Sequence, residues 1–288
     1  MIVVYSDRMV APAQGSSPSA AKPRPVVEAW RRRWPTLEIL PPVPVHREDF
    51  YRAHDPAFVD DIFALKIVNG FGTRSNDVLR SLPYTSGAML TAARIAMRAG
   101  TAVAAPVSGF HHAGWQEAEA YCTFNGLMVT ALALRAELGR IRVGILDYDY
   151  HYGNGTDDII RHLNLDFVVH VTAGREFVDP GQANRFLRAI PEHLARFARC
   201  DVVLYQAGAD PHVDDPLGGF LTSAELAERD RLVFSGLKAR GIPVAWNLAG
   251  GYQQPLSKVV AIHERTMAEC LLVHEPGLPP DARPGQGL

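Results

Sequence analysis

Cysteine is scarce: 288 residues carry three, Cys122, Cys200 and Cys270. A widely spaced, odd-numbered set argues against a disulfide framework or a thiolate metal knot, and for a reducing compartment. No run of about 18 apolar residues occurs, so no segment reads as a membrane-spanning helix. The N-terminal stretch MIVVYSDRMV is too short for the apolar region of a secretory signal, and no basic segment precedes it. A cytoplasmic location is therefore the expectation. Charge of one sign is also lacking. Lys and Arg number 29 against 31 Asp and Glu, a formal net charge of −2. That balance gives no field suited to nucleic acid or an anionic membrane, and neither is an expected partner. The single basic run, RRR at 31–33, reads as a solvated helix face.

Short continuous apolar runs are what the chain has instead. IVVY (2–5), TAVAAPV (101–107), IRVGILD (141–147), DFVVHV (166–171), DVVLYQ (201–206) and IPVAWNL (242–248) read as strands covered on both faces. Helical patterns separate them, at 86–100, 126–139, 183–198, 222–241 and 254–272. The fourth opens with Thr222 and Glu225 at capping-box spacing and closes at Gly241. Strand–helix alternation predicts an open parallel α/β sheet flanked by helices in three layers, in one domain over 1–288. Residues 11–25, rich in Pro and small side chains, read as an ordered loop or cap. Residues 275–288 read as a loose tail or an arm that could reach a second copy in a homo-oligomer.

Residues 144–157 read GILDYDYHYGNGTD. Strand alternation puts Asp147, Asp149 and His151 on one face where the strand ends, and GNG turns the chain into a helix near Thr156. Other strands also end in polar residues: His111 and His112, Asp210, and Tyr252 after Gly-Gly. In a parallel sheet these ends share one edge, where the ligand crevice forms. Each residue alone has a bland reading, as a cap, a satisfied histidine or a packed ring. Their convergence points to chemistry. Asp149, His151 and Asp210 suit Zn2+ or another divalent ion with open positions. The histidine pair offers a base, and Tyr252 a donor to an oxyanion. Metal-assisted hydrolysis of a carbonyl compound, an amide by preference, is the expected class.

The stretches GFHHAGWQEAEAYCTFNG (109–126), LDYDYHYGNGTDDI (146–159), GADPHVDDPLGGFLT (208–222) and LAGGY (248–252) resemble the histone deacetylase family of zinc amidohydrolases, which includes acetylpolyamine amidohydrolases. SPSAAKPRP (17–25) looks like a degraded form of that family's proline-rich N-terminal motif. The resemblance implies an arginase/deacetylase-like fold, with Asp149, His151 and Asp210 as zinc ligands and Fe2+ as the alternative ion. It implies Asp147 behind His111, Asn154 behind His112, and Tyr252 as the catalytic tyrosine. In that scheme zinc and Tyr252 polarise the acyl carbonyl, while His112 moves the proton from water to the leaving amine. Ala120 and Tyr121 stand where the family has Gly and Phe in its substrate channel; Gly250 and either Phe177 or Asp179 are further candidates for the channel. His170 replaces a residue that often helps to bind a structural K+, for which Asp147, Asp149 and His151 still offer oxygens. Asn154 replaces the carboxylate of some members, which makes His112 the weaker base. The expected substrate is an acylated amine, acyl-lysine or an acetylated polyamine. An inactive acyl-binding domain and a two-manganese ureohydrolase are the rival readings. Cys122 and Trp115 read as packing residues, Trp115 with a place at the entrance as the alternative. His46, His54, His162, His193, His212 and His263 lack metal-ligand spacing.

Overall fold

Continuous apolar runs require a sheet buried on both faces, and the chain builds one. The computed structural model describes residues 1–15 and 17–275. Its strands are β1 (Ile2–Val4), β2 (Glu38–Leu40), β3 (Ala102–Ala104), β4 (Val143–Asp147), β5 (Val168–Thr172), β6 (Val202–Gln206) and β7 (Val244–Asn247). They lie in the order β2-β1-β3-β7-β6-β4-β5, every pairing parallel. Every residue of β3, β4, β6 and β7 is buried. The helices are α1 (Pro23–Arg33), α2 (Arg47–Ala53), α3 (Pro56–Phe63), α4 (Asn76–Ala99), α5 (Gly126–Leu138), α6 (Asn154–His162), α7 (Ala183–Ala195), α8 (Ser223–Ala239) and α9 (Ser257–His274). They pack in two groups, α1 on α9, α9 on α8 and α8 on α7, and α4 on α5 with α2 and α6 beside it. This is the expected flanked parallel sheet.

Local chemistry explains the boundaries. The box that opens α8 forms as its spacing predicts: Glu225 N–H donates to Thr222 Oγ1 at 3.3 Å, and Thr222 N–H donates to Glu225 Oε2 at 2.7 Å. Asn125 caps α5 by accepting from Met128 N–H at 3.2 Å, and Gly139 closes it at a positive φ of 70°.

The structure also departs from the sequence expectations. The helix expected at 86–100 begins ten residues earlier, at Asn76, with Ser75 accepting from Val78 N–H at 3.3 Å. Pro83, which lacks the N–H a helix interior uses, sits inside it. Its carbonyl accepts from Val45 N–H at 3.1 Å. The loop expected at 11–25 gives way to α1 at Pro23; proline at a first helical position needs no donor and comes with its φ already set. β2, a three-residue edge strand, and the short α2 and α3 carry too few residues for a periodic signal. The expected tail at 275–288 lies, beyond Glu275, outside the described residues.

Candidate active site

The four neighbouring strands β3, β7, β6 and β4 end side by side, and the loops after them meet. β4 stops at Asp147, so Asp149 and His151 sit on the loop that follows rather than on a continued strand. That loop nevertheless delivers both. His151 Nδ1 lies 3.1 Å from Asp149 Oδ1 and 3.0 Å from Asp210 Oδ2, the latter from the loop after β6. One ligand atom from each of the three residues lies within 4.8 Å of the others. Asp149 and Asp210 are buried and His151 is half-buried.

The three fit a divalent cation. Two carboxylate oxygens and an imidazole nitrogen make a donor set that suits Zn2+ or Fe2+. Gly250 lets the loop after β7 close over them; a Cβ there would stand 2.4 Å from Asp210 Oδ2 and 2.8 Å from Asp149 Oδ2. Gly250 N–H donates to Asp149 Oδ2 at 2.8 Å. Burial opposes the charge on Asp149, but the His111 charge and the bond from His151 overcome it and hold that acid well below the usual carboxylate range. Burial, then the Asp149 charge, pushes Asp210 up to about 8. His151 is pushed up to about 11, because its bonds to Asp149 and Asp210 outweigh the burial that opposes its charge.

The histidine pair stands beside this group. His111 Nδ1 donates to Asp147 Oδ2 at 2.7 Å, and His111 Nε2 is 3.6 Å from Asp149 Oδ1. Gln206 Nε2 donates to Asp147 Oδ1 at 3.0 Å, so that carboxylate is held on both oxygens. His112 packs against His111 with ring centroids 4.0 Å apart, and its Nδ1 faces Asn154 Oδ1 at 2.6 Å. The two rings ionise in opposite senses. Burial works against the charge on His111, but Asp147 and Asp149 overcome it and raise the ring to about 9. Burial, reinforced by the neighbouring His111 charge, lowers His112 to about 4. At neutral pH one ring is a cation and the other a neutral base, the divergence that marks acid–base division of labour.

A narrow cavity opens onto the group, lined by His111, His112, Ala120, Tyr121, Asp149, Gly250 and Tyr252, with Ser19, Ser108, Gly109 and Cys122. Tyr121 and Tyr252 approach at 5.6 Å between centroids. Burial first, then Asp149 and Asp210, hold the Tyr252 hydroxyl far above its usual value, so it stays a donor. Ala120 and Tyr121 have φ of 45° and 68° and Ala249 has 50°, left-handed positions that cost a side-chain-bearing residue roughly 1–3 kcal/mol each. The first explains why a glycine suits position 120.

Phe177, expected as a candidate for the channel, does not line this cavity. Its ring is 2% exposed and packs on Phe186 at 5.3 Å and His193 at 6.2 Å, sealing α7. An apolar ring two residues past the 3-10 turn at Ala173–Arg175 gains more by burial there than beside an acidic cavity. Nor does Asp179 line the cavity; its backbone N–H donates to Gln182 Oε1 at 3.1 Å. His170 Nδ1 is engaged by Asp157 Oδ1 at 2.7 Å. Trp115 stacks on His162 at 4.3 Å, away from the cavity. Cys122 Sγ donates to Gly109 O at 3.3 Å and is buried.

Three supporting residues escaped the sequence reading. Lys22, fully buried, donates from Nζ to Ala249 O at 2.5 Å, under the loop that carries Gly250 and Tyr252. Burial lowers it to about 8. Asp215 Oδ2 accepts from Tyr252 N–H at 2.8 Å. Glu119 Oε1 accepts from Asn154 Nδ2 at 2.5 Å. Only Asn154, already marked as a substitution, hinted that its surroundings would matter.

Fold and site together define an α/β domain with a cation-capable centre, a histidine pair and a tyrosine at the C-terminal edge of its sheet. The family model described as Histone deacetylase domain matches residues 21–172 and 162–267. The chain belongs to that family. An uncharacterized protein of Picosynechococcus is 29% identical over 238 residues, covering 76% of this chain and 77% of that one. Histone deacetylase 2 of Arabidopsis thaliana is 27% identical over 195 residues, 61% of this chain and 50% of that one. Acetylpolyamine amidohydrolase of Mycoplana ramosa is 27% identical over 179 residues, 50% of each chain. The crystal structure of the HDA15 HD domain shares the fold at a TM-score of 0.77 and 19% identity, covering 98% of this chain and 90% of that one. Among the described residues no helix is long and apolar enough to cross a membrane.

Proposed function

We propose that the protein is a metal-dependent amidohydrolase that removes an acetyl or similar acyl group from an amine. The observation that carries this reading is the convergence of Asp149, His151 and Asp210 within 4.8 Å, beside a histidine pair backed by Asp147 and Asn154. Those three residues would hold the ion, which supplies Lewis acidity to the carbonyl and a more acidic water. His112, neutral and facing the cavity, takes the proton as water adds to the acyl carbon. It returns that proton to the nitrogen as the C–N bond breaks, leaving an amine and a carboxylic acid, which then releases its remaining proton to become the carboxylate. His111, held as a cation by Asp147, faces the developing negative charge. Tyr252 donates its hydroxyl to the oxyanion.

The narrow cavity and the Tyr121 hydroxyl favour a slender acylated amine, such as an acyl-lysine side chain or an acetylated polyamine. Zn2+ is the ion first expected, with Fe2+ as the alternative.

Turnover of fluorogenic acyl-lysine and acetylpolyamine panels, with metal analysis of protein purified without chelators, tests the reading. We expect about one divalent ion per chain and hydrolysis of at least one class, both lost in Asp149→Ala. A stoichiometric ion with no turnover of any amide would favour the inactive acyl-binding domain.

A further inference from the structure

His112 can act as a base only if one of its two neutral tautomers is present. An asparagine presents two different faces, an acceptor oxygen and a donor NH2. With the oxygen towards His112, Nδ1 must donate, and Nε2 keeps the lone pair a base needs. With the NH2 towards His112, Nδ1 must accept, and Nε2 carries the proton and cannot take one. The Asn154 side chain therefore decides whether His112 is competent, and something must decide which way Asn154 points.

That partner is Glu119. Asn154 Nδ2 donates to Glu119 Oε1 at 2.5 Å, while Asn154 Oδ1 faces His112 Nδ1 at 2.6 Å. An ionised carboxylate only accepts, so only the NH2 can face it, and only the oxygen is left for the imidazole. Glu119 is held in a tight turn: its N–H donates to Cys122 O at 3.1 Å, and Cys122 N–H donates to Glu119 O at 2.8 Å. It does not line the cavity. We propose that Glu119 is a positioning residue, locking the Asn154 amide and through it the base-competent tautomer of His112. This rests on the reading of His112 as the proton carrier.

Two backgrounds separate this role from a merely structural one. In the wild type, Glu119→Ala frees the amide to flip. kcat should fall on the order of tenfold with KM within about twofold, a smaller loss than deleting a general base, worth roughly 10²–10⁴. In an Asn154→Asp background there is no amide to flip, and Glu119 becomes a like charge beside Asp. There Glu119→Ala should produce no fall in kcat, or a rise. Ring nitrogen shifts of nitrogen-15 histidine give a readout that needs no turnover: His112 protonated at Nδ1 alone in the wild type, a mixture of tautomers in Glu119→Ala. A fall of equal size in both backgrounds, or an unchanged tautomer in Glu119→Ala, overturns the proposal. Should no amide be hydrolysed by the wild type, the ring shifts still decide the role of Glu119, while the hydrolase reading fails on its own test.

Discussion

His111 and His112 are adjacent in the chain and nearly in contact in space, yet one is raised to about 9 and the other lowered to about 4. Burial opposes the charge on both: Asp147 and Asp149 overcome it at His111, whereas at His112 burial and the His111 charge prevail over the bond to Asn154. Both rings could be named from the sequence, and so could Asp147 and Asn154. Glu119 could not, because a glutamate in a polar loop carries no spacing that ties it to position 154. Tyr252 is the cleanest test at this scale. Its phenol, kept protonated by burial, is the group we propose as donor to the oxyanion. Removing one such donor costs about 3 kcal/mol in the transition state. Tyr252→Phe should therefore lower kcat by about 10²–10³ while the thermal midpoint and metal content stay near wild type, measured by steady-state kinetics and calorimetry. Full activity in that variant would remove Tyr252 from the mechanism.

Loops after β4 and β6 carry the candidate ligands, and loops alone are poor at holding geometry. α8 supplies the brace. Arg229, fully buried, donates from Nη1 to Gly208 O at 2.7 Å and to Tyr148 O at 3.2 Å, one carbonyl on each loop. Its Nε pairs with Asp230 at 2.9 Å, and Tyr205 and Thr266 also donate to that carboxylate. Breaking a buried pair from one side strands the other charge and typically costs about 3–5 kcal/mol. Arg229→Ala should lower unfolding free energy by that order and loosen the metal site; chemical denaturation with metal titration measures both. A change below about 1 kcal/mol would mean the brace is not mechanical. No sequence pattern announces this residue. Arg229 stands in an ordinary charged stretch, AERDR, and its burial follows only from where α8 lands. Pro23 stands in a helix where the sequence reading placed a loop, and Pro83 in the part of α4 that precedes the expected helix.

At the scale of the whole molecule, an imidazole buried neutral predicts sensitivity to acid. His54 ties α2 to the loops around it: its Nδ1 donates to Gly114 O at 2.8 Å, and Nε2 accepts from Asn125 N–H at 3.0 Å. Burial lowers it to about 4. In the unfolded chain it titrates near 6.5, so the unfolded state takes the proton first. The stability it contributes is complete above pH 6.5 and is lost as pH falls towards 4. The loss approaches 1.36 kcal/mol per pH unit for this one group. Denaturant unfolding between pH 7 and 4 should show that slope reduced in His54→Gln relative to wild type. An unchanged slope would assign the acid sensitivity elsewhere.

The sequence by itself determined the architecture and the chemical inventory. Six of the seven strands among the described residues were readable because a parallel sheet covered on both faces leaves unbroken apolar runs, and polar strand ends in such a sheet must share an edge. Tertiary structure decided what no single segment encodes. It set which side chains back the histidines, it sent Phe177 into the α7 packing instead of the cavity, and it buried Lys22 beneath a loop 227 residues away. The reason is physical: strands and helices follow from patterns a few residues long. Ionisation, tautomer and support follow from contacts between segments, which exist only once the sheet has brought them together.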